Sequence, residues 1–266
     1  MRLAIVGGNG FLGSAISKAA VGRGLQVTSL SQSGRPFKTP SGHQPKWTNE
    51  VKWLAGDVFN EESYSAVIKE SDAVVHTLGI LLESDYKAGP LSALQGLIQG
   101  RSPPNPITGG LYERVNRDAA IRVSEVFQRT RVSNTDDNPF VYISASDIFR
   151  PLIPSRYISS KRAAEEHLLG LEGIRAINLR PGLMYHPHTR PLSTIPATVI
   201  DVLNKLPLPR SIQGISEHSD LQSMLNLLHT NALHIDTVAN AAIEAIQDRS
   251  VVGSVDANAM KALAWK

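Results

Sequence analysis

The stretch Arg2-Leu3-Ala4-Ile5-Val6-Gly7-Gly8-Asn9-Gly10-Phe11-Leu12-Gly13 decides how this chain is read. An apolar run over residues 2–6 ends in glycines, and an amphipathic stretch follows from Phe11 to Arg23. That pattern is strand, tight loop, helix. Such a unit places a pyrophosphate at a helix N-terminus, where backbone N–H groups and the helix dipole favour an anion. Glycines let the backbone turn sharply, let phosphates approach without a Cβ in the way, and let the helix sit close on the strand.

Outward from this loop, the first helix carries Leu12, Ala15, Ile16, Ala19 and Ala20 on one face and ends at Gly22-Arg23-Gly24. Residues 25–30 read as a second strand. An NAD-binding unit places an acidic residue about twenty positions beyond the glycines. Here Ser31-Gln32-Ser33-Gly34-Arg35 contains none. A carboxylate repels a 2′-phosphate, whereas hydroxyls and a guanidinium bind it. Ser31, Ser33 and Arg35 therefore point to NADP(H) over NAD(H); the other reading of Arg35 is the opening residue of a polar loop that runs to Glu50. Residues 51–55 read as a third strand closed by Gly56-Asp57-Val58, residues 63–71 as a helix, and residues 72–79 as a fourth strand running into Leu78-Gly79. Alternating strands and helices imply right-handed crossovers, a parallel sheet, and ligands beyond its carboxyl ends. Asp57 and Val58 fall where adenine would lie, and Leu78 and Gly79 fall beside the path of the cofactor. Asp57 and Gly79 also suit plain turns.

The pattern lapses over residues 82–111, which read as an insertion, returns as a helix over 112–131, and breaks again at 132–138. Phe140-Val141-Tyr142-Ile143-Ser144 is then a strand that delivers Ser144 and Ser146 to the same rim. Eleven residues later Tyr157 and Lys161 share a helix face at i, i+4. A phenol is a poor base near neutrality, and a nearby ammonium stabilises its phenolate. Tyr157 could then exchange a proton with a substrate oxygen, Lys161 could hold a nicotinamide ribose, and Ser146 or Ser144 could hydrogen-bond the substrate. A sixth strand at 174–179 ends in Arg180-Pro181-Gly182.

The chain has 266 residues, 42% hydrophobic and 19% charged, with a net charge of +3. These are the proportions of a globular protein. Basic residues are scattered, so a nucleic-acid partner is not expected. No stretch reaches the twenty or so apolar residues of a membrane span, which leaves peripheral contact. There is no cysteine, which excludes disulfides, thiolate metal sites and a cysteine nucleophile. His186, His188, His218, His229 and His234 show no ligand spacing, and no metal is assigned. The first strand begins at Arg2, so no transit peptide is expected ahead of it in this sequence; a processed form has the same look.

Together, Gly7 to Gly13, Gly56-Asp57-Val58, Ser144-Ala145-Ser146, Tyr157 with Lys161, and Arg180-Pro181-Gly182 resemble an extended or atypical short-chain dehydrogenase/reductase. The resemblance is greatest to the branch that holds fungal mitochondrial coenzyme Q biosynthesis proteins and the NADPH-binding accessory subunit of respiratory complex I. Residues 76–83, 151–162 and 180–184 carry that closer match. It implies a doubly wound Rossmann domain over residues 1–190 and a small helical lobe for substrate or partner over 191–266, whose last elements pack back on the sheet. It also implies a matrix protein peripheral to the inner membrane, with coenzyme Q biosynthetic enzymes as partners. The leading expectation is an oxidoreductase acting on a hydrophobic ring precursor. The alternatives are a dinucleotide-bound assembly subunit and a nucleotide-sugar epimerase or dehydratase. Extended members often carry Gly-x-Gly after the serine strand, and residues 147–154 depart from that. In the lobe, Leu221, Met224, Leu225 and Leu228 form an apolar stripe, read as core or as a docking face for a quinone-like tail or a partner.

Overall fold

The computed structural model describes residues 1–80, 110, 112–131, 137–147, 155–188 and 232–265. Most of the expected insertion and of the 191–230 lobe, with its apolar stripe and the helical runs read at 198–203 and 221–228, lies outside the described residues.

The strands in chain order are β1 (Arg2–Val6), β2 (Gln26–Ser31), β3 (Val51–Ala55), β4 (Ala73–His76), β5 (Pro139–Ile143), β6 (Arg175–Leu179), β7 (Met184–Tyr185), β8 (Leu233–His234) and β9 (Gly253–Val255). Seven of them form one parallel sheet in the order β3-β2-β1-β4-β5-β6-β9. The order reverses direction at β1, so the loops after β1 and β4 diverge and leave a crevice at the carboxyl edge. Register makes that edge level: Val6 lies beside both Leu30 and His76, and His76 beside Tyr142.

Side chains alternate across the pleat. Leu3 and Ile5 join one core and Ala4 and Val6 the other, and all four are buried. On the first face lie α1 (Phe11–Gly22) and two late helices; on the second lie α2 (Ser65–Glu70), α3 (Ala119–Arg129) and α4 (Ser155–Leu169). The late helices are α5 (Ile235–Gln247) and α6 (Ala257–Ala264); α5 packs on α1 and α6 on α5, with Ile16, Ile243 and Met260 in the shared core. Helix α6 begins at Asp256, whose carboxylate accepts from the N–H groups of Asn258 and Ala259, an N-cap in which the first-turn donors are satisfied. This is the expected Rossmann-type doubly wound α/β fold.

Two parts of it were not foreseen. The expected helix over 112–131 opens with a π-helical turn, Glu113–Asp118, before α3. The strand β9 and the two-stranded β7–β8 ladder went unread because three residues or two show no period.

Arg175, at the start of β6, ties the last elements to the sheet. Its guanidinium donates to the carbonyls of Ala245 (2.8 Å), Ile246 (2.7 Å), Asp248 (3.2 Å) and Val251 (2.7 Å), and to both oxygens of Asp137 (2.5 and 3.2 Å). The carbonyls at the end of α5, which lack partners within the helix, are thus satisfied by one planar fork. Arg175→Met should cost about 3 kcal/mol in urea denaturation, because it strands several carbonyls and leaves Asp137 only the exposed Arg249. Arg175→Lys should recover less than half of that, since an ammonium lacks the fork.

Candidate functional site

The glycine loop is built by steric necessity. Gly7 adopts φ +86°, and a Cβ there would lie 2.6 Å from Thr77 Oγ1. A Cβ on Gly8 would lie 2.3 Å from Ser29 Oγ, and one on Gly13 would lie 2.2 Å from the Gly7 carbonyl oxygen. The Gly10 N–H donates to that same carbonyl at 2.9 Å. Helix α1 therefore starts directly against the end of β1, with no side-chain cap and no acidic residue in its first turn. That is a cradle for an anion.

A cavity of about 1190 Å³ opens over this cradle. At one end it meets Ser31, Ser33, Asp57, Val58 and Tyr64. It then passes the loop from Gly7 to Gly13 and the Leu78–Ile80 strip, and ends among Ser144, Ala145, Tyr157, Lys161 and residues Pro181 to Met184. Of the residues singled out in the sequence, Gly7, Asn9, Gly10, Phe11, Leu12, Gly13, Ser31, Ser33, Asp57, Val58, Leu78, Gly79, Ser144, Tyr157, Lys161, Pro181 and Gly182 border it. Gly8, Arg35, Ser146 and Arg180 do not. Gly8 backs onto Ser29, and Arg180 turns to Glu165 with both carboxylate oxygens in reach of Nε at 3.0 and 3.1 Å. The Ser146 hydroxyl donates to the Arg180 carbonyl at 2.7 Å. The Arg35 side chain is exposed, while its backbone is fixed by Ser33 Oγ (3.3 Å) and by Asn9 Nδ2 (3.4 Å).

Asp57 borders the cavity and also builds its own turn, accepting the Phe59 N–H at 3.0 Å. Gly34, at φ +61°, folds the Ser31–Arg35 loop against Ala55, where a Cβ would meet backbone nitrogen at 2.5 Å.

At the far end, Lys161 is 2% exposed. Its Nζ donates to the Ile143 carbonyl at 2.8 Å and to Leu78 at 3.5 Å, and sits 4.7 Å from the Tyr142 ring centroid. Burial pulls its ammonium down to about 7, against the raising effect of Glu165. Burial and the neighbouring Tyr112 push the Tyr157 phenol up to about 12, and the cation that opposes them is Arg162. The Tyr112 ring meets Tyr157 edge-on at 6.2 Å. His76 beside them is fully buried, and burial and the Lys161 charge drive its imidazole down to about 3, so it stays neutral.

The family described as NAD dependent epimerase/dehydratase matches residues 3–90. MIOREX complex component 2 of Saccharomyces cerevisiae is 36% identical over 205 residues, spanning 70% of this chain and 74% of that protein. The chain belongs to the NAD-dependent epimerase/dehydratase family. Its fold is shared with UDP-glucuronic acid 4-epimerase from Bacillus cereus in complex with NAD (16% identity, TM-score 0.58, 96% of this chain and 76% of that one). It is shared equally with vestitone reductase from alfalfa (18% identity, TM-score 0.58, 96% and 76%). The extended dehydrogenase/reductase resemblance is thereby met. No helix among the described residues is long and apolar enough to cross a membrane.

The dinucleotide of this epimerase/dehydratase family suits the residues present, because the backbone cradle at Gly7 to Gly13 is the space that any Cβ would fill. Sequence reasoning missed the polar groups that brace the site. Asn116, fully buried, accepts the Ile80 N–H at 2.9 Å and donates to the Ile80 carbonyl at 3.2 Å, fixing the strip after β4. The wide π turn leaves its own carbonyl to the Tyr142 hydroxyl at 2.5 Å. A signal was present: Asn116 is a polar residue set among Val115, Ala119 and Val123 in the stretch read as a helix. Missed too was the gathering of His186, His188 and His234, with ring centroids 5.0 and 5.8 Å apart.

Lys161 should mark the pH dependence of stability. The folded protein gives up its proton near pH 7, the unfolded chain near the ordinary 10.5. Between these the unfolded chain holds the extra proton, so stability rises with pH, and the full penalty applies below 7. Relative to Lys161→Met, the wild type should gain on the order of 3–5 kcal/mol from pH 6 to pH 10. Urea denaturation of both across that range checks this, and parallel profiles would sink it.

Proposed function

We propose that this protein is an NADP(H)-dependent oxidoreductase acting on an oxygen function of a hydrophobic ring, with a quinone precursor of mitochondrial coenzyme Q biosynthesis as substrate class. The observation that carries this reading is the continuity of one cavity, from the glycine cradle to Tyr157, Ser144 and Lys161. Leu78, Ile80, Leu183 and Met184 line the same cavity, which suits an apolar ring better than a charged sugar nucleotide.

The nicotinamide cofactor, when bound, supplies or accepts the hydride. Residues 7–13 would hold its pyrophosphate, Val58 and Tyr64 would bound the adenine, and Lys161 with Gly79 would flank the nicotinamide ribose. Ser31 and Ser33, with Arg35 swung in from the surface, would take a 2′-phosphate. Tyr157, holding its proton firmly, is suited to giving it to a developing alkoxide, so reduction is the favoured direction.

A second reading is a dinucleotide-bound subunit without turnover. It draws on the Lys161 ammonium being spent on two backbone carbonyls and on the naming of the yeast relative for a complex. Under either reading the protein acts in the mitochondrial matrix, peripheral to the inner membrane and beside the coenzyme Q enzymes. The resemblance of residues 76–83 and 151–162 supports that placement.

With purified protein, NADPH, and soluble benzoquinones and ring ketones as probes, the wild type should oxidise NADPH. Tyr157→Phe should lose about 100-fold or more of the rate and keep NADPH binding within about twofold. NADPH binding without oxidation by any probe would favour the second reading. In fluorescence titrations Arg35→Ala should weaken NADPH about tenfold, equivalent to about 1.4 kcal/mol, and leave NADH unchanged. Equal wild-type affinity for the two cofactors would remove the assignment to NADP(H).

A further inference from the structure

Ser144 and Ser146 follow β5 two residues apart, and their hydroxyls are differently placed. That of Ser146 is spent as a donor on the Arg180 carbonyl, behind the cavity wall. Ser144 borders the cavity, and its Oγ accepts from Arg162 Nη1 at 3.0 Å. A guanidinium only donates, and a serine hydroxyl has one proton. A lone pair of Ser144 therefore faces Arg162 and the proton must turn elsewhere. No acceptor for it stands among the described residues, and the open side is the cavity.

Arg162 is itself held. Its Nη2 donates to the Ala145 carbonyl at 2.8 Å, and its Nη1 reaches Glu165 Oε1 at 2.6 Å. Glu165 is 2% exposed and is clamped from the other side by Arg180. The guanidinium thus joins α4 to the chain leaving β5, and swinging it away would give up three hydrogen bonds and take one of two cations from a buried carboxylate. It also opposes the rise of the Tyr157 phenol, which places its charge within reach of the reacting proton.

We infer that Arg162 is a positioning residue, which holds Ser144 with its hydroxyl proton turned into the cavity so that Ser144 donates to the substrate oxygen. This rests on the oxidoreductase reading. In the reduction, the substrate carbonyl carbon takes a hydride from the dihydronicotinamide, its π pair moves onto oxygen, and that oxygen takes the Tyr157 proton. The dihydronicotinamide is oxidised and the carbonyl reduced. Ser144 keeps its proton and steadies the oxygen as charge builds on it.

The test is a double-substitution cycle on the full chain, with NADPH and a soluble dimethoxybenzoquinone. Ser144→Ala and Arg162→Gln should each lower kcat about 100-fold, with KM and NADPH affinity within about threefold. A glutamine oxygen can accept from Ser144 and turn its proton away. Adding Arg162→Gln to Ser144→Ala should then cost less than about threefold more. Arg162→Lys, which keeps the charge beside Glu165 and a donor toward Ser144, should retain at least about a tenth of the rate, and it serves where the glutamine variant does not fold. An equal loss from Arg162→Gln in the wild-type and Ser144→Ala backgrounds overturns the inference. Thermal unfolding of the same four proteins decides the link without turnover: the Tm shift of the double variant should be smaller than the sum of the single shifts, and additive shifts overturn it. A wild type that binds NADPH and reduces no quinone defeats the oxidoreductase reading instead, and the unfolding cycle still decides whether Arg162 holds Ser144.

Discussion

The contact of Gly13 with the carbonyl of Gly7 is the constraint on which the site depends. Hydrogen where any other residue has Cβ lets α1 begin within van der Waals reach of the chain leaving β1. The helix then lies flat on the first face of the sheet, with Leu12, Ala15 and Ile16 in the core it shares with α5 and α6. Its N-terminus is left at the rim where the strand order reverses. A larger residue at position 13 would lift the helix and separate the cradle from the core that supports it. Packing and binding here are one geometric fact.

The other end of the cavity is governed by charge kept from water. Lys161, Glu165 and His76 are all nearly or wholly buried within a short distance of the carboxyl edge. Isolated ions there would be costly, and each is dealt with differently. Glu165 is held between two guanidiniums, Lys161 finds carbonyls and an aromatic ring, and His76 stays uncharged. Such an arrangement is rigid, because moving one member exposes another without a partner. A site that must hold a substrate oxygen in one place benefits from that rigidity.

The fold was legible where a pattern repeats and obscure where it does not. Glycines at the end of an apolar run, followed by a helical face, announce β1 and α1 because each residue acts on its own neighbours. Strand β9 has only Gly253, Ser254 and Val255, and it is a strand because β6 offers it an edge, a fact no local window contains. The same division runs through the site. Tyr157 and Lys161 are visible as a spacing, whereas Arg162 and Glu165 look like an ordinary surface pair at i, i+3 until the chains leaving β5 and β6 close over them. The choice between Ser144 and Ser146 was undecidable from alternation, because both follow the strand and their neighbours differ only in three dimensions. Arg35 was read for its charge, and sequence carries no sign that its side chain stands outside the cavity.

The short ladder of β7 and β8 has a bearing on how firmly the cavity wall is held. Met184 lies beside Leu233 and Tyr185 beside His234, and the Leu233 N–H donates to the Leu183 carbonyl at 2.8 Å. Leu183 and Met184 also border the cavity. The ladder thus fastens this stretch of the cavity wall to the residues that lead directly into α5. Because Leu233 and Ile235 are buried in the core that α5 shares with α1, that wall cannot shift without disturbing the packing behind it.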